Sequence, residues 1–101
     1  MPYLIQTFDA PERAHLRQEH YEAHLVYLET VAPLLLACGA KLDDDGERAS
    51  GGIYVVAVDT RDEATELIEN DPFYEAGLFD RVDITRWRKA YLDGVNYLGG
   101  N

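Results

Sequence analysis

A histidine, His24, and an aspartate, Asp71, are the pair in this chain whose types and settings best suit proton transfer. Asp71 lies in the stretch Asn70-Asp71-Pro72-Phe73-Tyr74-Glu75-Ala76-Gly77-Leu78-Phe79. Proline disfavours the α conformation for the residue before it, so Asp71 should sit at a helix end in extended or turn geometry, its carboxylate projecting off the helix. A carboxylate bound to one ring nitrogen of a histidine fixes the tautomer and raises basicity, which leaves the other nitrogen to take or deliver a proton. Such a pair serves proton abstraction next to a carbonyl, isomerisation, or elimination of a leaving group such as halide. The competing reading is structural: Asp before Pro also caps a short helical turn from Pro72 to Ala76, and His24 with Asp71 could be a buried tie between two helices.

Arg17 precedes His24 by about two helical turns and could grip a substrate carboxylate, although solvated helix arginines are common. Tyr3, Tyr21, Tyr54, Phe73 and Tyr74 are available as walls, which favours a small, planar or unsaturated, anionic substrate. His20 and His24 have the i, i+4 spacing of a metal pair. The residues between them, Tyr21-Glu22-Ala23, do not give the H-E-x-x-H pattern, and no third ligand is evident, so no metal is expected. His15 and His20 read as surface or flanking residues, and Trp87 as a core or interface anchor. Asp43-Asp44-Asp45-Gly46-Glu47-Arg48 lacks the alternating ligands and closing glutamate of a calcium loop and reads as solvated. Cys38, the single cysteine, falls in an apolar run and reads as a small buried filler.

The elements that must position these groups follow from periodicity. Pro2 to Phe8 alternates as a strand, ended by Asp9-Ala10-Pro11. A long helix is expected from Pro11 to about Val31, with Arg17, Tyr21, His24, Leu28 and Val31 in one band and Glu22 and Glu29 pointing away. Leu34 to Leu42 reads as a second strand. Ile53 to Asp59, introduced by Gly51-Gly52, is a third, apolar on both faces. Thr60-Arg61-Asp62-Glu63 has the spacing of a capping box, so a second helix should run from Thr60 to Glu69 or Asn70. Phe79 to Trp87 alternates as a fourth strand, and Arg88 to Asn101 forms a C-terminal tail with apolar residues at mixed spacing. The order β-α-β-β-α-β predicts an α+β fold of ferredoxin-like type, with two helices on one face of a four-stranded antiparallel sheet. The uncovered face would be an apolar patch of a kind monomers avoid, so a homodimer joined sheet to sheet is expected.

Length and charge bound the rest. A chain of 101 residues is one domain, near the size at which a partner subunit often completes the core. Nine basic against nineteen acidic residues give a formal charge of −10, which disfavours nucleic acid and anionic lipid as partners. No apolar run approaches a membrane span, and the N-terminus lacks a basic region before its apolar segment, so a cytoplasmic location is expected.

The residues also carry a resemblance. Arg17 and His24-Leu25 on the first helix, the step Gly51-Gly52-Ile53, Glu63-Ala64, Asn70 to Phe73, Ala76 to Phe79 and the closing aromatic Trp87 together resemble the YciI-like, or YCII-related, family over about residues 2 to 91. The resemblance implies the dimeric α+β barrel superfamily, most YciI-like members of which have no assigned reaction. It also implies an active site formed by a histidine and an aspartate, which fall here on His24 and Asp71. Arg17, Tyr21, Phe73 and Gly52 are the expected substrate-binding positions. Gly52 stands where family members often carry serine, so any hydroxyl contribution at that point is absent.

Several functional classes fit these features. One is a cofactor-independent lyase, isomerase or dehydrochlorinase; a second is a binding module holding the same small molecule without turnover; a third is a structural or accessory dimer. A haem-type oxygenase with His24 as axial ligand is a weaker fourth.

Overall fold

The computed structural model describes residues 1–99, so the last two residues of the expected tail, Gly100 and Asn101, lie outside the described residues. Four strands, β1 (Tyr3–Asp9), β2 (Leu35–Leu42), β3 (Ala49–Val56) and β4 (Phe79–Arg86), form one antiparallel sheet in the order β2-β3-β1-β4. Four helices, α1 (His15–Glu19), α2 (Tyr21–Val31), α3 (Arg61–Glu69) and α4 (Pro72–Glu75), complete the α+β fold with the βαββαβ order that the periodicity predicts. A strand presents alternate residues to each face. Along β1 this buries Tyr3, Ile5 and Thr7, which sit opposite Val56, Tyr54 and Gly52 of β3. Ala64, Leu67 and Ile68 of α3 close the core over that face, with Leu28, Val31, Val82 and Ile84 packed at its margins.

Local signals explain the elements around the site. Thr60 Oγ1 accepts the Glu63 amide at 3.1 Å, and the Glu63 carboxylate accepts the Thr60 amide at 3.0 Å, so the capping box starts α3. Pro72 opens α4 behind Asp71, whose φ of −69° and ψ of 130° are extended as the proline requires. Gly77, at φ +84°, turns the chain out of α4 into β4. Gly51 has a steric role, since a Cβ there would lie 2.0 Å from the Thr7 carbonyl oxygen on the neighbouring strand.

Some expectations change. The helix expected from Pro11 to Val31 is not continuous: a 3₁₀ turn at Pro11–Arg13 leads to α1, and the backbone breaks at His20, with φ −108° and ψ 12°, before α2 begins. Periodicity carries no sign of this break, because residues on either side keep one apolar band. Strand β3 begins at Ala49, earlier than its apolar run, because pairing with Lys41 and Leu42 of β2 draws polar residues into the ladder. The tail holds a small hairpin, β5 (Tyr91–Leu92) and β6 (Val95–Asn96), joined by Asp93-Gly94 with φ of 53° and 79°. Those positive values at both turn residues are what a two-residue I′ hairpin needs. Cys38 is exposed rather than buried: it lies on the edge strand β2 across from Tyr54, on the face beneath α2, where a gap between that helix and the sheet leaves it open. The open face of the sheet is also less uniform than its sequence suggests: the Lys41 ammonium lies 3.4 Å from the centre of the Phe8 ring and the Arg81 guanidinium 4.8 Å from it. No helix of the described residues is long and apolar enough to cross a membrane.

Candidate active site

Asp71 is completely buried, and an ionised carboxylate can be held there only if donors replace its water. Three do. Its Oδ1 accepts the Phe73 backbone N–H at 2.9 Å, its Oδ2 accepts the Tyr54 hydroxyl at 2.8 Å, and His24 Nδ1 lies 2.9 Å from both oxygens. Asp71 therefore caps α4 and binds the histidine with the same side chain, so the capping and pairing readings hold together. A carboxylate only accepts, which places the Nδ1 proton on His24 and leaves the lone pair of the neutral ring on Nε2.

Nothing among the described residues bonds to that Nε2. Thr7 Oγ1 is the one buried side-chain polar atom left without a partner among them, so His24 Nε2, likewise unpartnered, is still reached by solvent. His24 is 8% exposed. It opens on a cavity of about 240 Å³ between α2 and the sheet, whose wall also includes Arg17, Tyr21, Cys38, Gly52 and Tyr54. A larger cleft of about 500 Å³ lies between α2 and α3, around Tyr27, Val58 and Leu67, and contains neither member of the pair.

The expected substrate-binding residues divide. Arg17, Tyr21 and Gly52 line the small cavity. Phe73 does not; it is buried behind the histidine, its ring stacked on His24 with centroids 4.1 Å apart and planes 16° from parallel. This stacking and the Asp71 bond fix the imidazole from two sides. Arg17 has its Nε and Nη2 committed to Asp9 at 2.7 and 3.0 Å, and its guanidinium lies 4.8 Å from the centre of the Phe73 ring. The fork that could hold a substrate carboxylate is thus occupied along one edge, leaving Nη1. His15 is paired with Glu19 at 3.7 Å on the surface, away from His24.

Sequence reasoning placed Tyr54 only as a wall. Its hydroxyl is a partner of Asp71, and burial, the Asp71 charge and that hydrogen bond all push its pKa upward, so it remains a donor. Strand parity was the available signal, since Tyr54 shares a face with Gly52 and lies across from Ile5. The Arg17 to Asp9 pair left no spacing signal, because Asp9 ends a strand and Arg17 sits beyond an irregular turn.

The Cys38 thiol is pushed from 9.0 to about 11, first by the protein atoms packed against it and then by the Asp71 charge. Together with Tyr54 this predicts an alkaline limit to stability. A group whose proton is held more tightly in the folded chain lets the unfolded chain lose protons first, so stability falls as pH rises above the unfolded values of 9.0 for Cys38 and 10.0 for Tyr54. Urea midpoints measured from pH 8 to 11 should decline, and less steeply in Cys38→Ala.

Residues 1–88 match the model of the YCII-related domain. The chain belongs to the YCII-related family. A solved structure of similar shape is 5-chloro-2-hydroxyhydroquinone dehydrochlorinase from Burkholderia phenoliruptrix AC1100, in complex with 2,5-dihydroxybenzoquinone. It is 33% identical, the match covers 87% of this chain and 94% of that one, and the TM-score is 0.80. Among curated protein sequences none matches the chain.

Proposed function

We propose that the chain is a cofactor-independent enzyme that eliminates a leaving group, hydrogen halide in the first instance, from a small hydroxylated, anionic ring. The observation that carries this reading is a single one: the His24 ring is held at Nδ1 by a buried carboxylate while Nε2 opens on a cavity sized for one small molecule. Support from similarity is the dehydrochlorinase named above, whose structure holds a dihydroxylated quinone.

The chemistry needs one mobile proton position. His24 Nε2 takes the proton of a ring hydroxyl, and the electron pair released forms a carbonyl while the imidazolium returns the proton to the ring carbon that bears the halogen. Nε2 then takes the proton of a second hydroxyl. Its electron pair forms the second carbonyl, and the halide leaves with the carbon–halogen bonding pair. The sum is a hydroxylated ring converted to a quinone with loss of one proton and one halide, with no redox partner. Asp71 stays ionised throughout and stabilises the imidazolium. Arg17, through Nη1, would favour the anionic ring over its neutral form, offsetting the cost of bringing a charge against the apolar part of the cavity wall. The same reading makes the chain half of a homodimer joined through the open sheet face, where Leu4, Phe8, Ile53 and Val55 lie, and places it in the cytoplasm.

The test is chloride release. Purified protein incubated with 5-chloro-2-hydroxyhydroquinone under argon should release chloride and form a quinone absorbance in equal amounts. Chloride release no faster than in buffer, alongside tight binding of the same compound, would make the chain a binding module instead.

A further inference from the structure

The proton chemistry at His24 leaves one nucleophile of the same cavity unused. Cys38, the single cysteine of the chain, pairs with Tyr54 across the β2–β3 ladder, is exposed, and forms part of the wall of the His24 cavity. The same space of about 240 Å³ is bordered by His24, only 8% exposed, whose Nε2 has no hydrogen-bond partner among the described residues. An unpartnered nitrogen so deeply set points to an occupant bearing polar substituents, and the thiol adds a soft nucleophile to the wall around that occupant. Beside Cys38 the wall is made of Gly39, Ala40 and Gly52, which leave a flat ring room to lie against the sheet. Packing and the charge of Asp71 push the thiol up to about 11, so little free thiolate stands ready for a passing electrophile. Reaction at Cys38 therefore depends on an electrophile being held in the cavity rather than on collision in solution.

We propose that Cys38 is a covalent capture site for electron-poor quinones that enter the His24 cavity, the resulting thioether filling the space in front of His24. This rests on the reading that the cavity takes an oxygenated ring, and it adds a modification site to that reading. The sulfur bonds to a ring carbon conjugated to a carbonyl, the carbon–carbon π pair moves to the carbonyl oxygen, and a proton matching the one the thiol gives up ends on that oxygen. Transfer of the hydrogen on the substituted ring carbon to the second carbonyl oxygen then gives an aromatic hydroquinone thioether. Every atom and electron of thiol and quinone is kept in the adduct, so no oxidant or reductant is consumed. A quinone with ionised hydroxyl groups spreads their charge over the ring and accepts a nucleophile poorly. Thus 2,5-dihydroxybenzoquinone leaves intact, whereas a quinone without such groups is retained and blocks the site.

The experiment treats wild type and Cys38→Ser with an equimolar amount of 1,4-benzoquinone and follows intact mass, the modified peptide and chloride release, with the Kd for 2,5-dihydroxybenzoquinone measured separately by calorimetry. Wild type should gain the mass of one intact quinone at Cys38. The rate should fall about tenfold when 2,5-dihydroxybenzoquinone is present at ten times its Kd, the factor that occupancy of a shared site requires. Wild type should lose chloride release in step with the adduct, while Cys38→Ser keeps most of the activity it starts with under the same treatment. Adducts on Lys41 or Lys89 in place of Cys38, or equal loss of activity in the two proteins, would overturn the assignment. If 2,5-dihydroxybenzoquinone binds without slowing the adduct, Cys38 reacts as an ordinary surface thiol and the capture role alone is rejected. If wild type neither binds 2,5-dihydroxybenzoquinone nor releases chloride, the underlying reading fails and this one with it.

Discussion

His24→Gln should lower kcat/KM for chloride release by at least about 10³-fold, within the range that a positioned acid–base group supplies, while the melting temperature moves by only a few degrees. The asymmetry follows from the geometry. A glutamine amide can still donate to Asp71, so the buried carboxylate keeps its three donors, but no group is left with a titratable lone pair facing the cavity. Loss of the Phe73 stacking is the remaining structural cost, and part of the glutamine side chain replaces that contact. A variant that retained more than a tenth of wild-type activity would show that the proton moves through another group.

Removal of Asp71 should act the other way, on folding as much as on activity. Asp71→Ala leaves the Phe73 amide, the Tyr54 hydroxyl and His24 Nδ1 without their acceptor in a dry site. At about 1–3 kcal/mol for each buried donor left unmade, a loss of at least about 3 kcal/mol is expected. In a domain of this size that lowers the melting temperature by roughly 12 to 24 °C. Asp71→Asn separates the two roles. It preserves the shape and some of the hydrogen bonds, costing about 1–3 kcal/mol, but its amide donates where a carboxylate accepts. The histidine is then free to carry its proton on Nε2, the wrong tautomer for a base. Activity should fall at least about 10²-fold in a protein that still unfolds cooperatively. Thermal denaturation and chloride release measured on the same samples check both statements.

The site was legible where a residue type forces its own geometry. Pro72 fixes the extended backbone of Asp71, Thr60 and Glu63 start α3, and the apolar band of α2 places His24 against the sheet; each is a local rule that survives folding. What escaped was decided by contacts between distant segments. Tyr54 meets Asp71 only because β3 passes beneath α4, and Asp9 claims one edge of Arg17 only because α1 breaks from α2 at His20. Cys38 looked like core because its neighbours are apolar, yet it lies on the edge strand where a gap beside α2 leaves it open, and that gap is set by how distant segments pack. The Asp93-Gly94 hairpin was readable from its turn residues but was masked by the mixed spacing of the apolar residues around it.

The proposed chemistry requires His24 Nε2 to be the atom that meets the substrate. Its most direct test is the crystal structure of the protein soaked with 2,5-dihydroxybenzoquinone. A ring should lie in the cavity between α2 and the sheet, with one of its oxygens about 2.6–3.2 Å from Nε2 while Nδ1 remains on Asp71. A quinone bound in the cleft between α2 and α3, or a His24 ring turned so that Nε2 faces Asp71, would contradict it.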